Sequence, residues 1–442
     1  VLGKPKMLIL GLQHMFAMFG ATVLVPILVQ SYGLPLNTQT TLFFAGFGTL
    51  FFHFCTKLKV PAFLGSSFAF LGGFSAMAEL SSGMYATMEP SEKLQYACGG
   101  IVIAGLLYVV LAAIIKAVGV HRVMHFLPPV VTGPIIILIG LNLAPSAVSN
   151  ASSCWWLALV SMAIIIVANI WGRGMIKIIP ILLGVVGGYV VALCAGMVDF
   201  SGFAGSSLLI GENAVLGLQP FLKNFSGSVA KFDLTAILVM APIAIASMME
   251  HIGDVSAISA TVGENFIEDP GLHRTLIGDG VATALAGLFG GPANTTYGEN
   301  TGVLVLSRVH DPRVVRLAAI YAIILSFSPA FAHLVNTIPS AIIGGVSFIL
   351  YGMISAIGVR NVVENHVDFT NSRNLIIAAV ILVCGLGFTD GLTFQIGAAS
   401  ITLTSLAIAA IAGIVLNAIL PGNDFYLGKS ASGDDAGSLG KY

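Results

Sequence analysis

Long uncharged apolar runs alternate along this chain with short polar joints. A run of about 20 mostly apolar residues is the length needed to cross a hydrocarbon layer as a helix. Runs that reach or approach that length begin near Met7, Thr40, Leu94, Pro128, Ser153, Ile178, Leu234, Thr275, Val314, Pro339, Asn374 and Leu392. Two more are interrupted. Pro61 to Met77 is broken by Gly65-Ser66-Ser67 and Gly72-Gly73, and Pro292 to Ser307 by Asn294-Thr295-Thr296 and Gly298. The pattern predicts an all-α polytopic membrane protein of about fourteen transmembrane segments. The interrupted runs are the third of each block of seven, and they open alike on Pro61-Ala62 and Pro292-Ala293. An odd number of spans turns the second block upside down, so two inverted repeats are expected. Unwound backbone inside a bilayer must be satisfied by protein or by a cavity. Matching breaks in two halves therefore point to a binding site near mid-membrane.

Composition agrees. Hydrophobic residues make up 57% of the 442 and charged residues only 9%, where a soluble protein has about 25% charged residues. The net charge of -1, with no basic stripe, argues against a nucleic-acid partner. Following basic residues from joint to joint places all but Lys93, Lys223 and Lys231 of the nineteen on one side. That asymmetry predicts cytoplasmic N- and C-termini. The five cysteines, Cys55, Cys98, Cys154, Cys194 and Cys384, have neither metal-ligand nor disulfide spacing and read as small packing residues. The first run, Met7 to Val29, is long enough to span and has no cleavage pattern, so no cleavable signal is expected. Residues 421–442 read as a disordered tail. Gly428-Lys429-Ser430 lacks the glycine spacing and flanking elements of a phosphate loop. The Asn-x-Ser/Thr triplets at Asn150, Asn224 and Asn294 carry no expectation of glycosylation. No metal or cofactor is expected.

Of the twenty acidic residues, Glu250, Asp254, Asp279 and Glu299 fall inside membrane segments. A mid-membrane acid costs about 2.5–3.5 kcal/mol to insert, so Glu250 and Glu299 together cost about 5–7 kcal/mol before compensation. Lys and Arg sit only at segment ends, which disfavours plain ion pairing. Hydrogen-bonded helix glue is the structural alternative. A cavity lined with acceptors is the functional one, suited to a cation or to a neutral ligand rich in N–H donors.

Several strings carry a resemblance. Met249-Glu250-His251-Ile252-Gly253-Asp254, Asp269-Pro270-Gly271-Leu272-His273-Arg274 and Asn294-Thr295-Thr296-Tyr297-Gly298-Glu299-Asn300-Thr301-Gly302 are similar to those of the nucleobase/ascorbate transporter family, in particular its bacterial uracil permeases. So are Leu12-Gln13-His14-Met15-Phe16-Ala17-Met18-Phe19-Gly20-Ala21-Thr22 and Leu64-Gly65-Ser66-Ser67-Phe68-Ala69-Phe70. The resemblance runs from about Gly11 to the last span.

What it implies is a secondary transporter, not an enzyme, that imports uracil with a proton by alternating access in the bacterial inner membrane, typically as a homodimer. It implies a core domain of residues 1–127 and 231–338 and a gate domain of 128–230 and 339–420. Segments 3 and 10 would each carry a short strand, the two pairing antiparallel. Glu250 and Glu299 match the carboxylates that bond the base, with backbone at Phe68 and Gly298 completing the contacts and Ala21 and Tyr297 lining the pocket. Uracil presents two ring N–H groups, and ionised carboxylates are acceptors only. Glu299 resembles the pyrimidine branch, whereas purine-transporting relatives usually have glutamine there. Asp254 stands where the uracil pattern has His and purine-type relatives commonly have Asp. Xanthine, uric acid or a broader range of bases is thus the alternative substrate, and an anion exchanger of the same architecture a more distant one. Glu250, Asp254 and His14 are the expected proton-coupling residues, and Tyr351 a gating contact. Asp279 is expected to be structural, and Asn294 and Asn300 to satisfy the broken tenth segment.

Overall fold

The computed structural model describes residues 3–81, 83–200, 229–396, 399–423 and 425. Lys223, Asn224 and most of the 421–442 tail lie outside the described residues. The first half comprises α1 (Lys4–Ser31), α2 (Thr38–Cys55), β1 (Leu64–Ser66), a 3₁₀ turn (Phe68–Phe70) running into α3 (Leu71–Glu79), and α4 (Pro90–Val118). It continues with α5 (Val120–Phe126), α6 (Pro129–Asn142), α7 (Ala144–Ala151), α8 (Trp155–Ile170), α9 (Met175–Ile178) and α10 (Pro180–Cys194). The second half comprises α11 (Leu234–Met240), α12 (Ile243–Val262), α13 (Leu272–Leu288), β2 (Asn294–Thr296), α14 (Gly298–Ser307), α15 (Pro312–Ser326) and α16 (Pro329–Asn336). It ends with α17 (Ser340–Glu364), α18 (Ser372–Gly387), β3 (Leu392–Ile396), β4 (Ala399–Leu403) and α19 (Ser405–Ile419).

Prolines and short polar caps set many helix starts. Pro5 lies in the first turn of α1 and Pro90 opens α4, where a missing N–H costs nothing. Asn37 and Asp311 accept from Thr40 N–H and Arg313 N–H to cap α2 and α15. Lys4–Ser31, Pro90–Val118, Pro129–Ala151, Leu234–Val262 and Ser340–Glu364 are each long and apolar enough to cross a membrane. Pro312–Ser326 and Pro329–Asn336 are together long and apolar enough to count as one more, and are bent by 86° at the break between them. Shorter apolar helices cover the third, sixth and seventh predicted runs and the last two. Leu8, Phe54, Leu159, Ile170, Val383 and Ile419 are exposed, a surface suited to lipid rather than water.

The run from Leu392 differs from expectation. It opens as a β3–β4 hairpin, pairing Leu392 with Leu403, and becomes helical only at Ser405, after Thr404 caps α19. Thr393, Phe394 and Ile396, followed by Thr402, are β-formers, which local propensity favours over a helix.

Packing falls into two sets. One joins α1, α2, α4, α11, α13 and α15; the other joins α6, α7, α8, α10, α17, α18 and α19. In the first, α4 crosses α13 at paired glycines: a Cβ on Gly105 would lie 2.4 Å from the Gly280 carbonyl oxygen, and one on Gly280 would lie 2.6 Å from that of Gly105. Lys93 and Lys231 share one end of the molecule, where Lys231 N–H donates to the Gln95 carbonyl. Lys59 meets Asp269 at the other end.

Candidate substrate site

Each broken run contributes three strand residues. β1 and β2 pair antiparallel, Leu64 opposite Thr296, Gly65 opposite Thr295 and Ser66 opposite Asn294. Ser67 N–H donates to Ala293 O at 2.8 Å and Tyr297 N–H to Phe63 O at 3.0 Å, which extends the pairing equally at both ends. The first residue of each strand is clasped by a threonine. Leu64 N–H donates to Thr49 Oγ1 of α2 at 2.9 Å, and Asn294 N–H to Thr283 Oγ1 of α13 at 3.1 Å. The same hydroxyls lie 3.2 Å from the carbonyl oxygens of Leu64 and Asn294. The pair thus has local two-fold character, and its backbone is satisfied without a larger sheet, as a low-dielectric interior requires.

After each strand the chain turns into a half-helix, the 3₁₀ turn and α3 on one side and α14 on the other. Their N-termini, with unsatisfied N–H groups, begin at the strand pair. Glu299 sits in the first turn of α14, where the positive end of the helix favours a carboxylate. Tyr297 is buried; its hydroxyl donates to Ser66 O at 2.9 Å and lies 3.3 Å from Thr22 Oγ1 of α1. Its ring covers Gly65, where a Cβ would come within 2.2 Å of Tyr297 Cζ. Ala21, beside Thr22, is fully buried.

The second carboxylate comes from α12. Ser247, His251 and Asp254 recur at intervals of four and three, so they share one face of that helix. Ser247 Oγ accepts from Tyr108 Oη of α4 at 2.7 Å, and Asp254 Oδ2 accepts from Thr296 Oγ1 of β2 at 2.7 Å. His251 Nδ1 approaches Asp279 Oδ2 of α13 to 2.8 Å with both side chains fully buried. Glu250 lies at the edge of this stripe. It is half-buried, its Oε2 is enclosed, and among the described residues no group bonds that oxygen.

Helix α17 closes the remaining side. The Tyr351 ring meets Phe68 edge-on at 5.9 Å, and a Cβ on Gly298 would lie 3.4 Å from Ile357 Cδ1 and 3.9 Å from Asp254 Oδ1. Glu250, Asp254, Glu299, Gly298, Phe68 and Tyr351 are thereby gathered around the ends of the strand pair. His14 is occupied otherwise: Asn300 Nδ2 lies 3.2 Å from its Nδ1 and donates to its carbonyl at 3.0 Å, tying α1 to α14 one residue after Glu299. Asn294 likewise reaches a neighbouring helix, donating to Phe44 O of α2 at 3.2 Å. The His251 contact to Asp279 departs from the expectation that the membrane acids lack a basic partner. Only Lys and Arg had been considered, although His251 stands beside Glu250 in the motif. Thr49 and Thr283 carry no signal in the sequence, since an isolated threonine in an apolar run looks like any other, and Thr296 stands in the broken segment without any sign that it reaches Asp254.

Known proteins extend this picture. A model described as the permease family matches residues 5–394. The uracil permease of Bacillus caldolyticus is 42% identical over 93% of this chain and 91% of its own length. The uracil permease of Bacillus subtilis (strain 168) is 41% identical over 93% and 92%. The putative pyrimidine permease RutG of Escherichia coli (strain K12) is 36% identical over 93% and 89%. Among solved structures, the transmembrane domain of a cyanobacterium bicarbonate transporter, BicA, superposes with a TM-score of 0.53 at 17% identity, covering 85% of this chain and 96% of that one. SLC26A9 superposes with a TM-score of 0.65 at 11% identity, covering 93% and 64%. At such identities these two speak for the fold alone. The chain is a multi-pass membrane transporter rather than an enzyme, and it belongs to the permease family whose motifs it resembles, the nucleobase/ascorbate transporters.

Proposed function

We propose that this chain imports uracil together with a proton, by alternating access, across a bacterial inner membrane. The observation that carries the proposal is the enclosed Glu250 Oε2, which has no hydrogen-bond partner among the described residues, with Glu299 offering a second carboxylate at the start of a half-helix. A neutral ring with two N–H donors supplies what two acceptor-only carboxylates lack. The resemblance to curated uracil permeases at 42% and 41% identity supports the same substrate.

In this proposal Glu250 and Glu299 bond the ring edge, backbone at Phe68 and Gly298 adds polar contacts, and Ala21 and Tyr297 shape the pocket from behind. The proton enters at the Glu250/Asp254 neighbourhood, with His14 steadying α14. The charged form of a buried carboxylate is the costly one, so neutralising it with substrate bound favours movement of the loaded site. Tyr351 marks the gating contact. The two packing sets correspond to a core (1–127 and 231–338) and a gate (128–230 and 339–420). The local two-fold of the strand pair supports fourteen segments in two inverted repeats, and cytoplasmic termini and a homodimer complete the arrangement.

Asp254, in the position of the histidine of the uracil pattern, favours a second reading: a broader nucleobase carrier that accepts xanthine or uric acid. Uptake of labelled uracil into cells under a pH gradient, with a panel of unlabelled bases as competitors, tests both. Uracil competing best, and loss of uptake in Glu299→Ala, is the expected result. Normal accumulation by Glu299→Ala would sink the proposed site, and purines outcompeting uracil would favour the second reading.

A further inference from the structure

The short helix α5 is the peptide link between the two packing sets, since α4 belongs to one and α6 to the other. Its two ends are held very differently. At its C-terminal end the carbonyls of a helix have no partners within it. Here they are taken up by the last helix of the second set. Asn417 Nδ2 of α19 donates to Phe126 O at 3.0 Å and to His125 O at 3.3 Å, and Asn423 Nδ2 donates to His125 O at 2.8 Å. Asn417 is itself pinned. Arg373, at the start of α18, donates through its terminal nitrogen to Asn417 Oδ1 at 2.9 Å and to Asn417 O at 2.8 Å, and through Nε to Leu420 O at 3.3 Å. Asn417 and Arg373 are both buried. The His125 ring adds a contact of 2.7 Å from Nδ1 to Phe425 O. A guanidinium on the carbonyls that end α19 is also favoured by that helix's negative pole.

Among the described residues the N-terminal end shows no comparable hydrogen-bonded anchorage, although Val123 and Met124 are buried. Gly119 separates α4 from α5 with φ +97° and ψ 146°, is exposed, and has nothing within 4 Å of where a Cβ would be. It is a position at which the backbone can swing without displacing side chains. The contact from α5 back to the first set is His121 Nε2 to Glu268 Oε1 at 3.9 Å, with both side chains largely exposed. Exposed pairs of that kind contribute little, whereas buried charge-assisted hydrogen bonds are the strong class.

We infer that α5 is latched to the gate by Arg373, Asn417 and Asn423, and that Gly119 is the hinge on which the core turns against gate and linker together. A hinge is a few residues that absorb a backbone change while the bodies on either side stay rigid. A second link differs: helix α16 follows the 86° bend after α15 and packs its Phe331 ring on Phe19 of α1 in the first set, and only beyond its C-terminal end does Thr337 Oγ1 lie 2.6 Å from Tyr189 Oη of α10 in the gate set.

The inference rests on the core and gate assignment but moves its first boundary from 127 back to Gly119, so that α5 (Val120–Phe126) travels with the gate, and three distances test the two separately. Spin labels are placed at Arg122 on α5, Val110 on α4 and Val383 on α18 of the full chain in a cysteine-free background, all exposed positions. Pulsed dipolar spectroscopy is recorded with and without saturating uracil, at pH 5 and pH 8. The expected result is a change in the 110–383 and 110–122 distances while 122–383 stays fixed, and a broadened 122–383 distribution in Asn417→Ala. A fixed 110–122 distance with a changing 122–383 distance overturns the latch and leaves the core and gate reading standing. An unchanged 110–383 distance in every condition overturns that reading and the hinge with it. Should Asn417→Ala leave 122–383 as narrow as before, Asn417 is not the latch.

Discussion

At the residue scale, each membrane acid has a different kind of surrounding. Asp254 is engaged by Thr296, Asp279 faces His251, Glu299 lies at a helix start, and Glu250 keeps an unbonded oxygen. Removing one partner of a buried polar contact leaves the other unsatisfied, at about 1–3 kcal/mol, whereas replacing both with apolar groups of similar shape can be close to neutral. His251→Leu should therefore lower the melting temperature of the purified protein sharply, and His251→Leu with Asp279→Leu should recover much of the loss. If the double variant melts no higher than the single one, the two side chains do not form a compensated pair. Tyr297→Phe keeps the ring over Gly65 but strands the Ser66 carbonyl, a loss of about 1–3 kcal/mol. Thermal unfolding in detergent reads that loss directly.

At the element scale, the strand pair is held by its clasps more than by its own length, because three residues a side make few ladder bonds. Thr49→Val and Thr283→Val each remove a hydroxyl that serves both the N–H and the carbonyl of one strand residue, and each should cost about 1–3 kcal/mol. Both clasps act on a single pair of strands, so the double variant should deviate from additivity. Strictly additive melting shifts would contradict a shared element. The two strands were legible in the sequence because Gly65-Ser66-Ser67 and Asn294-Thr295-Thr296 interrupt runs that are otherwise uniformly apolar. The clasps were not, because helical periodicity says nothing about which turn of α2 or α13 faces a strand far away in the chain. The β3–β4 hairpin was hidden for a related reason. Leu392 to Leu403 is as apolar as a helical run, and only its β-branched and aromatic content distinguishes it.

At the scale of the whole molecule, the loops on either side of the strand pair meet at Lys59, which beside Asp269 holds that carboxyl below its ordinary range. A depressed carboxyl contributes stability at neutral pH that is lost only as pH falls through its lowered folded value, below about 4. The pair is exposed, so its contribution is small and screened by salt. Asp269→Asn should leave the melting temperature at pH 7 nearly unchanged in 0.5 M NaCl, and a large drop there would show a buried role. The two breaks that pair as strands were legible from their spacing, whereas the linker contacts were not, since Arg373 and Asn417 are ordinary end-of-helix residues until α18, α19 and α5 are brought together. Proton-coupled uracil binding at Glu250 and Glu299 is best examined by calorimetry of uracil binding to the purified protein in two buffers of different ionisation enthalpy. Wild type should bind with a heat that depends on the buffer, reporting proton uptake; Glu250→Gln should lose that dependence, and Glu299→Ala should lose binding. Uracil binding with the same heat in both buffers, or tight binding by Glu299→Ala, would contradict the site proposed for this permease.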